Sequence, residues 1–85
     1  MGPAEVPREL KWRCRRGMRE LDALLTGWLE QRWPVADRDL REAFRLLLEC
    51  EDDQLWDWLL GRTRPDSDPL CRIVDAIRDG FGRRV

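Results

Sequence analysis

Apolar residues recur along the chain at intervals of three and four positions, the spacing that places side chains on one face of an α-helix. They do so in short segments separated by glycine, proline and acidic residues, and nowhere does the alternation of a half-buried strand persist. Helices this short are stable only when their apolar faces pack on one another. The pattern therefore predicts an all-α fold, a compact single-domain bundle of about five short helices.

Helix-breaking residues predict the bounds of the first two helices. Pro7 opens the first helix, which runs to about Arg16, and Gly17 then interrupts the chain because glycine is unfavourable inside a helix. The second helix ends near Trp33, because a residue that precedes proline avoids the α conformation. Its apolar face consists of Met18, Leu21, Leu24, Leu25, Trp28 and Leu29.

Capping residues predict the other three helices. Asp37 and Asp52 are the predicted N-caps of the third and fourth helices, and Gly61 suits a left-handed end of the fourth. Asp68 is the predicted N-cap of the fifth helix, which has Pro69 at its first position and ends at Gly80. The expected inward-facing residues are Trp33, Leu40, Ala43, Phe44, Leu47, Leu48, Leu55, Trp58, Leu59, Leu70, Ile73, Val74 and Ile77.

Composition indicates one small soluble domain. The chain has 85 residues, of which 42% are hydrophobic and 39% charged. We predict that the domain spans residues 8–80, with flexible termini at 1–7 and 81–85. A domain of this size buries only about 60–65% of its unfolded surface, which leaves little room for a pocket enclosing a large cofactor. A binding module is therefore favoured over an enzyme, and no bound cofactor is predicted.

The residue types that are missing exclude several kinds of site. Histidine is absent, which removes the commonest general base and the usual catalytic triads. Cys14, Cys50 and Cys71 are widely spaced, so neither a zinc site nor a disulfide framework is expected. Reduced thiols, the lack of a secretory signal and the arginine-rich composition of a GC-rich genome predict a bacterial cytoplasmic protein. No apolar run is long enough to predict direct insertion into a membrane.

Charge is distributed unevenly. Residues 8–19 contain six basic residues and one acid, whereas residues 49–57 contain five acids and no base. The basic edge favours an acidic or phosphate-bearing partner. Nucleic acid is not the predicted partner, because the sequence pI is about 5.5 and no nucleic-acid-binding motif is present.

Recognition of a family depends on the block W-x-C-R-R-G-M-R-E-L-D at residues 12–22. It contains R-G-x-x-E, formed by Arg16, Gly17 and Glu20, and it resembles the signature of the FAD assembly factor family. That family comprises bacterial SdhE and mitochondrial succinate dehydrogenase assembly factor 2. Residues 44–50, followed by acids, and residues 55–59 resemble the same family in the same order. The chain departs from it at Asp53, where a proline is common, and at Trp56, an unusually large aromatic residue.

The resemblance implies a five-helix chaperone without enzymatic activity. It would bind the flavoprotein subunit of succinate dehydrogenase, or that of the related fumarate reductase, and promote the covalent bond between FAD and a client histidine. We expect the free protein to be a monomer. The implied client-binding residues are Trp12, Arg15, Arg16, Gly17, Met18, Arg19 and Glu20. Arg16 would anchor the client and Gly17 would permit close backbone approach. Glu20 would pair with a client base or orient Arg16.

Several alternatives remain open from the residues themselves. Arg16 and Glu20 are four positions apart, so they also predict an ordinary intrahelical ion pair. The basic field around Cys14 favours a lowered thiol pKa, against the plainer interpretation of a structural thiol. The acidic run near Asp52 is interpreted as helix capping, with a second client contact as the alternative. An antitoxin-like or general adaptor protein is the alternative function.

Overall fold

The computed structural model describes residues 6–82, with the side chains of residues 6–79, and contains five α-helices in that range. No strand occurs among the described residues. The helices are α1 (Arg8–Arg13), α2 (Arg19–Gln31), α3 (Arg38–Leu48), α4 (Asp52–Leu60) and α5 (Asp68–Gly82), with a 3₁₀ turn at Trp33–Val35. The predicted all-α bundle of about five helices is confirmed.

The core lies between α3 and α5, the pair of helices that pack most extensively, and α2 and α4 each pack on α5. Phe44 of α3 is fully buried and stacks on Trp28, with ring centroids 4.7 Å apart. Trp33 meets the same ring edge-on at 6.2 Å. Burial of Trp28, Trp33 and Trp58 confirms the core role predicted for these three tryptophans.

Two predicted helix ends are confirmed. Asp37 is the N-cap of α3, and its carboxylate accepts the N–H of Leu40 at 2.8 Å. Gly61 ends α4 in the left-handed conformation, with φ of 81°.

Four other predicted ends are wrong by one to three residues. The first helix ends at Arg13 rather than near Arg16, because Cys14 closes it and the chain then leaves the helical path. Glu51 rather than Asp52 occupies the N-cap of α4, where its N–H donates to Gln54 Oε1 at 3.1 Å.

The fifth helix differs from its prediction at both ends. Ser67 rather than Asp68 precedes it, and the Ser67 hydroxyl accepts the N–H of Leu70 at 3.3 Å. The helix continues beyond Gly80 to Gly82. Of the predicted flexible termini, residues 1–5 and 83–85 lie outside the described residues.

Within residues 6–82, no helix combines the length and the apolar character needed to cross a bilayer.

Candidate functional site

The R-G-x-x-E motif begins in the loop that joins α1 to α2, here called the motif loop and defined as residues 15–18. The carboxylate of Asp22, in the first turn of α2, accepts two N–H groups from this loop. Its Oδ1 accepts the Arg16 N–H at 2.8 Å, and its Oδ2 accepts the Gly17 N–H at 3.3 Å. One acidic side chain therefore fixes two consecutive peptide units of the loop.

The guanidinium of Arg16 points back into the protein, and its side chain is only 15% exposed. Its Nε donates to Oδ1 of Asp52, the first residue of α4. Its Nη1 donates to the carbonyls of Leu48 at 2.9 Å and Arg13 at 3.2 Å, and its Nη2 donates to the carbonyl of Cys50. The three carbonyls lie at or just beyond the C-terminal ends of α1 and α3, where carbonyls lack helical partners and attract a cation.

Two predictions about Arg16 and Glu20 are therefore wrong. Arg16 lies before α2 rather than on it, so the two residues do not form the intrahelical ion pair. Glu20 does not orient Arg16 either, because Asp52 and three carbonyls do so. The glutamate is exposed on the first turn of α2.

Gly17 is exposed and has a φ of 89°, a conformation that favours glycine. A Cβ added at this position would meet nothing within 4 Å. The protein therefore needs glycine here for its backbone conformation, and open space lies over the loop.

Trp12 and Arg15 form an exposed pair beside the motif loop. The indole of Trp12 is 67% exposed, and the Arg15 guanidinium carbon lies 5.5 Å from its ring centroid. A cation over an aromatic face is a favourable arrangement that limits the conformations of both side chains. Arg19 is exposed nearby in the sequence, whereas Met18 is half-buried against the core.

Cys14 is fully buried, and burial raises the pKa of its thiol to about 11 despite the opposing effect of Arg16. The alternative of a pKa lowered by neighbouring arginines is therefore wrong. Burial also raises the pKa of Cys50. Neither thiol has the character of a nucleophile at neutral pH.

Residues 6–82 contain no group of three or more acidic, cysteine or histidine side chains arranged to hold a metal ion. An open groove of about 380 Å³ lies between α3 and the start of α5. It is lined by Asp39, Glu42, Ala43, Leu46, Asp68, Pro69 and Arg72.

The model of a protein family described as flavinator of succinate dehydrogenase matches residues 8–80. The chain belongs to this family. It is an assembly-factor family of chaperone type, so the chain is not itself a catalyst. The family recognised from the block at residues 12–22 is thereby confirmed.

Curated bacterial relatives support the same assignment. A protein of Xylella fastidiosa (strain 9a5c) named FAD assembly factor SdhE is 52% identical over 76 residues, which cover 89% of this chain and 77% of the relative. Proteins of the same name are 40% identical in Pseudomonas aeruginosa, over 85% of this chain and 86% of the relative. The Coxiella burnetii protein of this name is 38% identical, over 84% of this chain and 87% of the relative.

Sequence reasoning missed the acidic partners of the motif. Asp22 closes the recognised block and Asp52 lies in the acidic run, but neither was assigned to Arg16. Charge complementarity between residues 8–19 and 49–57 was the available signal. It does not specify which acid lies within reach of which base, because that depends on how α3 and α4 turn back towards the loop.

Proposed function

We propose that this chain binds the flavoprotein subunit of succinate dehydrogenase and promotes covalent attachment of FAD to a histidine of that subunit. The family match over residues 8–80 and relatives named FAD assembly factor SdhE support the proposal. The observation that carries it is the motif loop itself. Gly17 is exposed on this loop with open space over its backbone, so a client can approach the loop closely.

The residues proposed to form or position the client-binding surface are Trp12, Arg15, Arg16, Gly17, Met18, Arg19 and Glu20. Trp12 and Arg15 suit the centre of such a contact, because exposed tryptophan and arginine side chains are enriched among residues that dominate binding energy. Arg19 and Glu20 are both exposed and would form ion pairs with charged groups of the client.

The proposed mechanism is positioning. The sequence contains no histidine to serve as a general base in the flavin reaction. Cys14 cannot take that role either, because it is fully buried and its thiol pKa is raised. Flavin and client supply the reacting groups, while the chain holds a mobile client segment so that FAD and histidine remain aligned. Alignment alone can remove several kcal/mol of barrier, with an upper range of about 7–11 kcal/mol for well-oriented reactants.

We also propose that the chain has no flavin site of its own. The groove between α3 and α5 has three carboxylates and one arginine in its lining, which is a poor match for the anionic diphosphate of FAD. We further propose that the chain is a monomer in the bacterial cytoplasm and that fumarate reductase is a second client.

The test is flavin fluorescence of the client subunit in a denaturing gel, where only covalently bound FAD remains. The client is produced with wild-type factor, with Gly17→Arg, with Gly27→Ala or with no factor. Gly27 lies within α2 and an added Cβ there meets nothing within 4 Å, which makes it the matched control. We expect fluorescence with the wild type and Gly27→Ala only, with circular dichroism showing Gly17→Arg to be folded.

Equal fluorescence in all four samples would mean that the chain does not act on this client. An antitoxin-like or general adaptor function would then be the better hypothesis.

A further inference from the structure

We infer that Arg16 is a positioning residue and that Asp52, which lies outside the motif, helps to set the affinity for the client. Arg16, Asp22 and Asp52, with the carbonyls of Arg13, Leu48 and Cys50, are here called the Arg16 network. The network holds the motif loop in the conformation that the client binds. This inference rests on the proposed function and assigns the parts of its site different roles.

The hydrogen-bonding capacity of Arg16 is almost fully used within the chain. Arginine has five N–H donors. Four hydrogen bonds link its guanidinium to Asp52 and to three carbonyls, and the side chain is only 15% exposed. A two-point grip on a client carboxylate would require some of these bonds to break. Arg16 therefore acts on the client through the loop that it holds.

Outside the Arg16 network, the motif loop is held by the Arg15 N–H, which donates to the Trp12 carbonyl at 3.0 Å, and by Met18, which packs on the core. Helix α1 ends at Arg13 and α2 begins at Arg19, and Gly17 between them has the widest conformational freedom of any residue. The loop is fixed at its backbone by Asp22 and at its side chain by Asp52. Without these contacts, the client would have to order the loop when it binds, and the affinity would fall.

Asp52 is distinguished from its neighbour Asp53 by geometry alone. Both lie in the first turn of α4 and both interact with the same helix dipole. Only Asp52 pairs with Arg16, whereas Asp53 is exposed and has no ion pair among the described residues. Asp52→Ala and Asp53→Ala therefore remove the same charge from the same helix turn, and only the first opens the Arg16 network.

The experiment measures amide hydrogen exchange in the free factor and affinity for the purified, unflavinylated client subunit. For Asp52→Ala we expect the amides of Arg16 and Gly17 to exchange about three- to fivefold faster, with Val74 in the core of α5 unchanged. The dissociation constant should rise by about the same factor. Asp53→Ala should leave both quantities within about twofold of wild type.

Each other result overturns the inference. Weaker binding with unchanged exchange at Arg16 and Gly17 would mean that Asp52 contacts the client directly. Faster exchange with unchanged binding would mean that loop order does not matter. Faster exchange at Val74 as well would reduce the network to general stability.

A double variant separates action through Arg16 from independent action. If Asp52 acts through Arg16, Asp52→Ala should weaken binding no further in an Arg16→Gln background. Losses that multiply would contradict this. Failure of the proposed function is a distinct outcome, because wild-type factor itself would then bind no client.

Discussion

The carboxylate of Asp52 pairs with the guanidinium of Arg16, 36 positions away in the sequence. The same guanidinium binds the carbonyls of Leu48 and Cys50. It thus lies between the C-terminal end of α3 and the first residue of α4, and it connects both to the motif loop. Arg16, the first residue of the R-G-x-x-E motif, is therefore part of the framework that positions the loop.

Replacement of Arg16 should lower stability more than replacement of an exposed arginine. Arg16→Gln leaves three carbonyls and the Asp52 carboxylate with fewer donors, at a cost of about 1–3 kcal/mol in the free energy of unfolding. The ion pair itself contributes little of this, because Asp52 is 38% exposed and its charge is screened by water. Urea denaturation of Arg16→Gln, with Arg15→Gln as the exposed control, measures the difference. Equal midpoints would contradict the framework role.

The helices were predictable because their apolar spacing matches the helical period over several turns. Phe44 and Val74 fall in the middle of such patterns, and both are buried as expected. Helix ends were less predictable, because Glu51 and Asp52, or Ser67 and Asp68, are adjacent residues that can all serve as caps.

The position of the motif was predictable from the sequence, but its internal partners were not. Arg16 pairs with a residue on another helix, and that distance is set by packing of the whole bundle. The i, i+4 spacing of Arg16 and Glu20 gives an ion pair only if both residues lie on one helix. Residues 15–18 form a loop, so Arg16 and Glu20 do not share a helix.

Two substitutions at Gly17 should separate backbone strain from client contact. Gly17→Ala places a side chain at a φ of 89° and should cost about 1–2 kcal/mol of stability. Gly17→Asn should cost less, because asparagine tolerates positive φ better. Both put side-chain atoms into the open space over the loop, so both should weaken client binding. Stability by urea denaturation and affinity by calorimetry provide the two measurements. Wild-type affinity for Gly17→Asn would show that this space is not part of the contact.

Gly27→Ala should stabilise the protein without altering client binding. The residue lies inside α2, where glycine is about 0.5–1 kcal/mol less favourable than alanine, and an added Cβ meets nothing within 4 Å. For a domain of this size, the melting temperature should rise by about 2–8 °C. Calorimetric melting tests this, and a lower melting temperature would show that the position is more crowded than its geometry indicates.

Trp12→Ala should weaken client binding while leaving the fold intact. The indole is 67% exposed, so its removal should change the free energy of unfolding by no more than about 0.5 kcal/mol. If Trp12 is central to the contact, affinity should fall by about thirtyfold, the equivalent of 2 kcal/mol. Val35→Ala is the matched control, because Val35 is 76% exposed and lies outside the proposed contact. Equal affinities for the two variants would exclude Trp12 from the interface.

Stability should fall at alkaline pH through the thiol of Cys14. Burial raises its pKa from 9.0 to about 11, so the folded state holds this proton more tightly than the unfolded state does. The resulting stability is fully present below pH 9 and is lost as the pH rises to about 11. The loss amounts to roughly 2–3 kcal/mol, since one pKa unit corresponds to about 1.4 kcal/mol. Urea denaturation of wild type and Cys14→Ala at several pH values isolates this effect, because other groups titrate alike in both proteins. The difference between their unfolding free energies should shrink across that window, and a constant difference would contradict the raised pKa.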